Sequence, residues 1–273
     1  MTNLALGDKI RGLADRTLER LYSLERMTFD SYMGCSTDGY VLETSDFIQA
    51  NQESWPYLGG EWPAVYFALR ALRPGPADVF VDLGAGKGRA LLMAGRLPYR
   101  RVVGVELDPE LAQCARRNVV RAWRKLRAGT VTCETANVLD WPFPDDASTV
   151  FLFNPFYGQT FRRAITGMFD SYDRNPRPIH IVYENPQQHD WLLSTGRVVV
   201  EDVRPEMWPS TRRWWTDWGV IVTYHVTGTS ASTDTGCCLV RKKRPSSEAM
   251  IRWSGPNGHT SMTRDLGRSS GCV

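Results

Sequence analysis

The chain has 273 residues, of which 42% are hydrophobic and 23% charged, with a formal net charge of +3. These are the proportions of a globular protein large enough for one sizeable α/β domain, with room for a cap and a tail. The charge is too small to argue for a nucleic-acid binder by itself, and no apolar run reaches the roughly 18 residues that a membrane-spanning helix needs.

The N-terminal stretch MTNLALGDKIRGLADR carries charges every few residues and lacks the apolar segment of a signal peptide, so a cytoplasmic location is expected. Leu4, Leu6, Ile10, Leu13, Leu18, Leu21, Leu24 and Met27 recur at spacings of three and four, which predicts amphipathic helix across residues 4–33. Residues 34–60 are rich in turn formers and aromatics and predict an irregular segment. A short helix from Trp62 to Leu72 follows, stopped by Arg73-Pro74-Gly75-Pro76.

From there strands and helices alternate. Strands are predicted at Val79–Leu83, Arg101–Glu106, Thr130–Glu134, Thr149–Phe153 and Ile179–Tyr183. Helices are predicted at Gly88–Arg96, at Pro109–Arg127 with proline at a favoured first position, and at Phe161–Tyr172. Two later strands, Arg197–Val203 and Gly219–Val226, give the sheet an antiparallel end. Alternation of this kind implies a doubly wound, mostly parallel sheet joined by right-handed crossovers. After about Gly228 the periodicity stops and the chain turns polar, Gly/Ser-rich and basic, as a disordered tail does. The expected organisation is a helical cap over 1–75, an α/β domain over 76–227 and a tail over 228–273.

The six cysteines form no CxxC pair and have no histidine at zinc-finger spacing, so no metal site is expected and they read as free thiols or small core residues.

The densest chemistry lies in Val81-Asp82-Leu83-Gly84-Ala85-Gly86-Lys87-Gly88-Arg89, between the first parallel strand and its helix. Glycines there let the backbone turn sharply and approach a ligand, and the helix start offers free N–H groups. A Gly-rich loop after a strand serves dinucleotides as well, but that loop is normally G-x-G-x-x-G, and Gly88 falls one position early for it. An acidic residue, Asp82, stands two positions before the first glycine. The next strand ends in Gly104-Val105-Glu106-Leu107-Asp108-Pro109, and the third is followed by NVLDWPFP at Asn137–Pro144. Together these resemble the class I S-adenosylmethionine-dependent methyltransferases, a Rossmann-like α/β class.

The resemblance implies S-adenosyl-L-methionine as cofactor and assigns roles to residues. Gly84, Ala85 and Gly86 would wrap its methionine part, with Asp82 reaching the ammonium. Glu106 would accept both ribose hydroxyls, since a carboxylate offers two acceptor oxygens to a vicinal diol. Leu107 would pack on the adenine face, and Asn137 and Val138 would meet the adenine edge. The class more often has Asp where Asn137 stands, and Asn supplies no charge there. Tyr57 and Glu61 are further candidates on the cofactor side.

After the fourth strand comes Asn154-Pro155-Phe156-Tyr157, which resembles the [N/D]-P-P-[Y/F] motif of methyltransferases acting on amino nitrogen, with Phe156 departing at the third position. The stretch FLFNPFYG also resembles a poorly characterised bacterial group of the class, sometimes labelled Dot1-like, with an overlap of about Trp62 to Pro186. Methyl transfer needs a lone pair about 3 Å from the methyl carbon and in line with the breaking bond. The Asn154 side-chain oxygen and the Pro155 carbonyl would hold the amine, and the aromatic faces of Phe156 and Tyr157 would stabilise the charge growing on nitrogen. The bland alternative is that the four residues only turn the chain after the strand.

Glu184, in Tyr183-Glu184-Asn185-Pro186, could act as base for an oxygen or carbon acceptor, or cap a turn. His180 reads as a satisfied core residue, while His189 and His225 have no evident partner. The cations Arg116, Arg117, Arg121, Arg124, Lys125 and Arg127 could meet phosphates but read first as a solvated helix face. Trp208, Trp214, Trp215 and Trp218 could form a lid over the acceptor or a hairpin core. The expected partner is a small-molecule or peptide acceptor. RNA or protein lysine is the alternative, as is a cofactor-binding module of this fold with another role.

Overall fold

The computed structural model describes residues 27–41, 53–205 and 220–228. The expected tail, the tryptophans between residues 208 and 218 and the predicted helix before residue 27 lie outside the described residues.

Strand β1 (Tyr40–Val41) pairs antiparallel with β2 (Tyr57–Leu58), so the segment expected to be irregular contains a minimal two-stranded sheet. Helix α1 spans Trp62–Ala71 and begins with proline among its first residues. Then follow β3 (Val79–Leu83), α2 (Arg89–Gly95), β4 (Arg101–Glu106), α3 (Pro109–Ala122), β5 (Thr130–Thr135), β6 (Thr149–Leu152), α4 (Gly158–Arg174), β7 (His180–Glu184), α5 (His189–Ser194), β8 (Val198–Pro205) and β9 (Val220–Val226).

Several bounds differ from the expectation for local reasons. Helix α3 stops at Ala122 and tightens into a 3-10 turn over Trp123–Lys125. Its start is fixed by Asp108, whose Oδ1 accepts from the Glu110 and Leu111 amides at 2.7 and 3.3 Å. Helix α4 starts three residues before Phe161 because a distant side chain supplies its cap: Glu53 accepts from the amides of Gln159 and Thr160 at 3.1 and 2.6 Å. Helix α5 has only six residues, too few for a periodic signal.

The seven long strands form one sheet in the order β5-β4-β3-β6-β7-β9-β8. The pairs β5/β4, β4/β3, β3/β6 and β6/β7 are parallel, and β7/β9 and β9/β8 antiparallel, as the pattern predicted. Alternate side chains serve two cores. Phe80, Val102, Phe151 and Val182 face α1, α2 and α3, whereas Val79, Val81, Val103 and Ile181 face α4 and α5. Burying each such side chain stabilises the fold by about 1.5–3 kcal/mol.

The chain moves outward from β3 to β4 and β5, then returns to place β6 on the other side of β3. That reversal opens a crevice beyond the carboxyl ends of β3 and β6, where open α/β sheets take their ligands. Among the described residues, no helix is long and apolar enough to cross a membrane.

The residues before α1 are fastened to the sheet domain by polar contacts. The buried Arg89 donates from Nε to Thr37 Oγ1 at 2.9 Å and from Nη1 to the Gly60 carbonyl at 3.3 Å. Its guanidinium lies 3.7 Å from Asp30, which in turn accepts from the Thr37 and Asp38 amides. On α3 the buried Asn118 accepts from the Ser36 amide and donates to the Ser36 and Lys87 carbonyls, all within 3.0 Å.

Candidate active site

A cleft of about 440 Å³ occupies the crevice beyond β3 and β6. That is within the range of pockets that enclose a cofactor-sized ligand. Of the residues singled out in the sequence, Asp82, Gly84, Ala85, Gly86, Glu106, Leu107, Asn137, Val138, Asn154, Pro155 and Phe156 all line it. Tyr57 and Glu184 do so too, whereas Tyr157 stands outside the wall with its ring edge-on to Trp55 at 5.4 Å.

The glycine loop is held against β4, where the Gly84 and Ala85 amides donate to the Val105 carbonyl at 2.9 and 3.0 Å. Gly84, Gly86 and Gly88 adopt φ of +84°, +54° and +83°, which a side chain would strain. Space demands glycine as well. A Cβ on Gly84 would sit 2.1 Å from Pro155 Cβ, and one on Gly86 would sit 2.3 Å from the Tyr57 ring. The loop is thus wedged between the turn after β6 and the strand β2, and one short segment touches both sides of the cleft.

Glu106 points at this loop from the end of β4. Its Oε2 accepts from the Gly86 amide at 2.7 Å and its Oε1 from the Asp108 amide at 2.9 Å. These bonds fix the carboxylate and use one lone pair of each oxygen, leaving the others for a diol. Burial holds the Glu106 carboxyl above its ordinary range, opposed by the two N–H bonds. Asp82 is pushed well above the ordinary range, first by burial and then by repulsion from Glu106. A buried and a half-buried carboxyl thus share one wall, and a cation between them would stabilise their charged forms.

At the third strand, Asn137 closes a turn: its Oδ1 accepts from the Leu139 amide at 3.0 Å, and its carbonyl accepts from the Asp140 and Trp141 amides. The side-chain oxygen therefore orders the backbone around Val138.

The turn after β6 is built as tightly as the loop it touches. Asn154 is buried with φ of +43°, a conformation that asparagine tolerates better than most residues. Its Nδ2 donates to the Asn185 carbonyl at 2.6 Å, and its Oδ1 accepts from the Tyr183 hydroxyl at 2.8 Å. The Pro155 carbonyl accepts from the Trp55 amide at 3.2 Å, and the Tyr157 amide donates to the Glu53 carbonyl at 2.9 Å. Residues 53–57 therefore run alongside the whole turn, with Ser54 bridging Phe156. This strip was invisible in the sequence, because it depends on backbone pairing across a hundred residues.

Glu184, at the end of β7, is 1% exposed and accepts from the Glu61 amide at 3.0 Å through Oε1. A Cβ on Gly60 would lie 2.5 Å from its Oε2, so a third glycine makes room for a carboxylate on the wall. The lining as a whole carries the carboxylates Glu53, Asp82, Glu106, Asp108 and Glu184 against one guanidinium, that of Arg89.

The histidines fall away from the cleft. His180 begins β7, with Nδ1 2.8 Å from Glu201, and its ring meets His225 at 5.3 Å. His189 Nδ1 lies 2.6 Å from the Tyr224 hydroxyl. Cys35, Cys114 and Cys133 are free thiols. Burial pushes Cys35 and Cys133 up to about 12.

Residues 80–172 match the model of a family described as a methyltransferase domain. No curated protein matches the chain. Among solved structures, a putative RNA methyltransferase from Pyrococcus horikoshii is 15% identical, with 74% of this chain and 99% of that one covered and a TM-score of 0.48. An RNA methyltransferase from Salinibacter ruber, in complex with S-adenosyl-L-homocysteine, is 19% identical over 63% and 95% of the two chains with a TM-score of 0.43. A geranyl diphosphate C-methyltransferase from Streptomyces coelicolor is 17% identical over 61% and 76% with a TM-score of 0.45.

Proposed function

We propose that this chain, whose residues 80–172 match a methyltransferase-domain model, is an S-adenosylmethionine-dependent enzyme of the Rossmann-like class that methylates an amino nitrogen of a small molecule or peptide. S-adenosylmethionine supplies an electrophilic methyl group on a sulfonium. The residues present suit it: the wall carries the buried Asp82 and the half-buried Glu106, and a cationic ligand relieves the charge they hold there. In this reading Asp82 faces the ammonium, Glu106 takes the ribose diol, Leu107 packs on the adenine face, and Asn137 and Val138 meet its edge.

The observation that carries the acceptor class is Glu184, the carboxylate of the wall that neither caps a helix, as Glu53 and Asp108 do, nor serves the cofactor in this reading. A buried carboxylate on the same wall as the Asn154–Phe156 turn favours an amine and repels a phosphate. The Asn154 Oδ1 and the Pro155 carbonyl are each engaged once, by the Tyr183 hydroxyl and the Trp55 amide. Each keeps a second lone pair for an acceptor N–H. Phe156 and Trp55, both on the wall, take the cation–π role first read for Phe156 and Tyr157. Glu184 receives the proton that the alkylated nitrogen sheds.

The proposal treats residues 76–227 as the catalytic domain, with the preceding segment closing the cleft. It places the enzyme in the cytoplasm, where unpaired thiols such as the three described here persist. Calorimetry with S-adenosylmethionine, followed by transfer of labelled methyl to a panel of alkylamines, diamines and lysyl peptides, tests it. Labelled amine is the expected product. Transfer only to RNA, or only to oxygen or carbon acceptors, would overturn the nitrogen assignment and leave the cofactor assignment standing.

A further inference from the structure

We propose that the exposed end of α3 and the turn after it form a docking surface for single-stranded nucleic acid, separate from the cleft. Between Leu111 and Cys133 the chain has six cations and no acid. Arg116 is engaged, donating to the Cys133 carbonyl and to Thr135 Oγ1. Arg117, Arg121, Arg124, Lys125 and Arg127 are exposed, and none of them forms an ion pair among the described residues. Trp123 is 63% exposed in their midst, with the Arg124 guanidinium 5.3 Å from its ring, and Lys125 donates to the Tyr32 carbonyl and lies over the Tyr32 ring, itself 52% exposed.

A lone exposed ring is ordinary on a surface, but this one stands among guanidinium groups, which makes it a stacking face beside phosphate-binding forks. Helical spacing sets Arg117, Arg121 and Arg124 on one stripe. From Arg117 to Lys125 the helix and the 3-10 turn rise by about 14 Å, enough to follow two or three nucleotides. Guanidinium forks suit phosphate oxygens, and an aromatic face among them stacks a base without reading its identity. A membrane would need a broad apolar face on this helix. The apolar face of α3 is already buried through Ala112, Ala115 and Ala122, leaving outside only Val120 and Trp123. Charge thus favours a polyanion, and the isolated ring favours a base.

The inference does not depend on the acceptor, because the helix presents these residues on the far side from Glu106, at its C-terminal end. The test is fluorescence anisotropy of a labelled 20-nucleotide single-stranded RNA against the full chain at several salt concentrations. Binding is expected to weaken steeply with salt, with a slope near −0.7 for each phosphate neutralised. R117Q/R121Q/R124Q should flatten that slope by about 2 and W123A should weaken binding about tenfold, each with thermal stability and S-adenosylmethionine affinity unchanged. No binding of the RNA, a slope unaltered by the triple substitution, or preferential binding to phosphatidylserine–phosphatidylcholine vesicles would overturn the proposal.

Discussion

Gly86 and Tyr57 offer a direct measurement of how the segment before α1 bears on the cofactor loop. Substituting alanine at Gly86 imposes two separable burdens. The φ of +54° costs a residue with a side chain about 1–2 kcal/mol. The new Cβ would also fall 2.3 Å from the Tyr57 ring, and carbon atoms settle at about 3.5–4.0 Å, so the ring would have to retreat by about 1.2 Å. It is held by its hydroxyl on the Thr37 carbonyl at 2.5 Å, with the Lys87 ammonium 5.2 Å from its centre. Overpacking of this kind costs about 1–3 kcal/mol. G86A should therefore lose about 2–5 kcal/mol in the native background but only about 1–2 kcal/mol beside Y57A. Urea unfolding of the four proteins yields the coupling, expected at about 1–3 kcal/mol in favour of the double variant. Additivity within about 0.5 kcal/mol would refute the reasoning, since it would mean that ring and loop do not meet.

Four further outcomes follow from the geometry. E106Q should weaken S-adenosylmethionine by tenfold or more in calorimetry, because an amide nitrogen cannot accept from the Gly86 and Asp108 N–H groups as well as from a diol; native affinity would remove Glu106 from the site. Asp82 and Glu106 have folded pKa values above their unfolded ones, so stability falls as pH rises from the ordinary carboxylate range through the raised values. A cationic ligand should reverse this, binding more tightly as pH rises across that window and releasing protons; calorimetry in buffers of differing ionisation enthalpy would show none if the acids do not face the ligand. N154A removes the oxygen that accepts from Tyr183 and is offered to the amine, so kcat should drop at least tenfold with cofactor affinity preserved; full turnover would reduce Asn154 to a turn former. E184Q retains the acceptor oxygen for the Glu61 amide, so a role limited to that bond predicts an unchanged kcat profile against pH, while a proton-accepting role predicts loss of its acidic limb.

The alternating strands were legible because they are short, β-branched and buried on both faces. Val79–Leu83 and Arg101–Glu106 fall where the pattern put them. The glycine loop was legible because left-handed backbone leaves glycine as its mark, and Glu106 because its place at the end of β4 sets its distance from that loop. Other determinants leave no local trace. Glu53 caps α4 from more than a hundred residues away, and Arg89, which looks like an ordinary helix-start cation, is buried against Thr37 and Asp30. Tyr157 was read as facing the acceptor because it fills the fourth position of the motif that Asn154–Tyr157 resembles, yet successive side chains in extended backbone diverge, and its ring is turned toward Trp55.

The strip of residues 53–57 gives the molecule an economy of parts with a cost in modularity. A polypeptide trimmed to residues 80–172 would retain every glycine of the loop and the whole Asn154–Tyr157 turn. It would nevertheless lose the ring that seats Gly86, the amide that engages Pro155 and the carboxylate that starts α4. The smallest piece able to keep this cleft intact must therefore begin well upstream of the sheet, and boundaries drawn from the matched segment alone would cut through its wall.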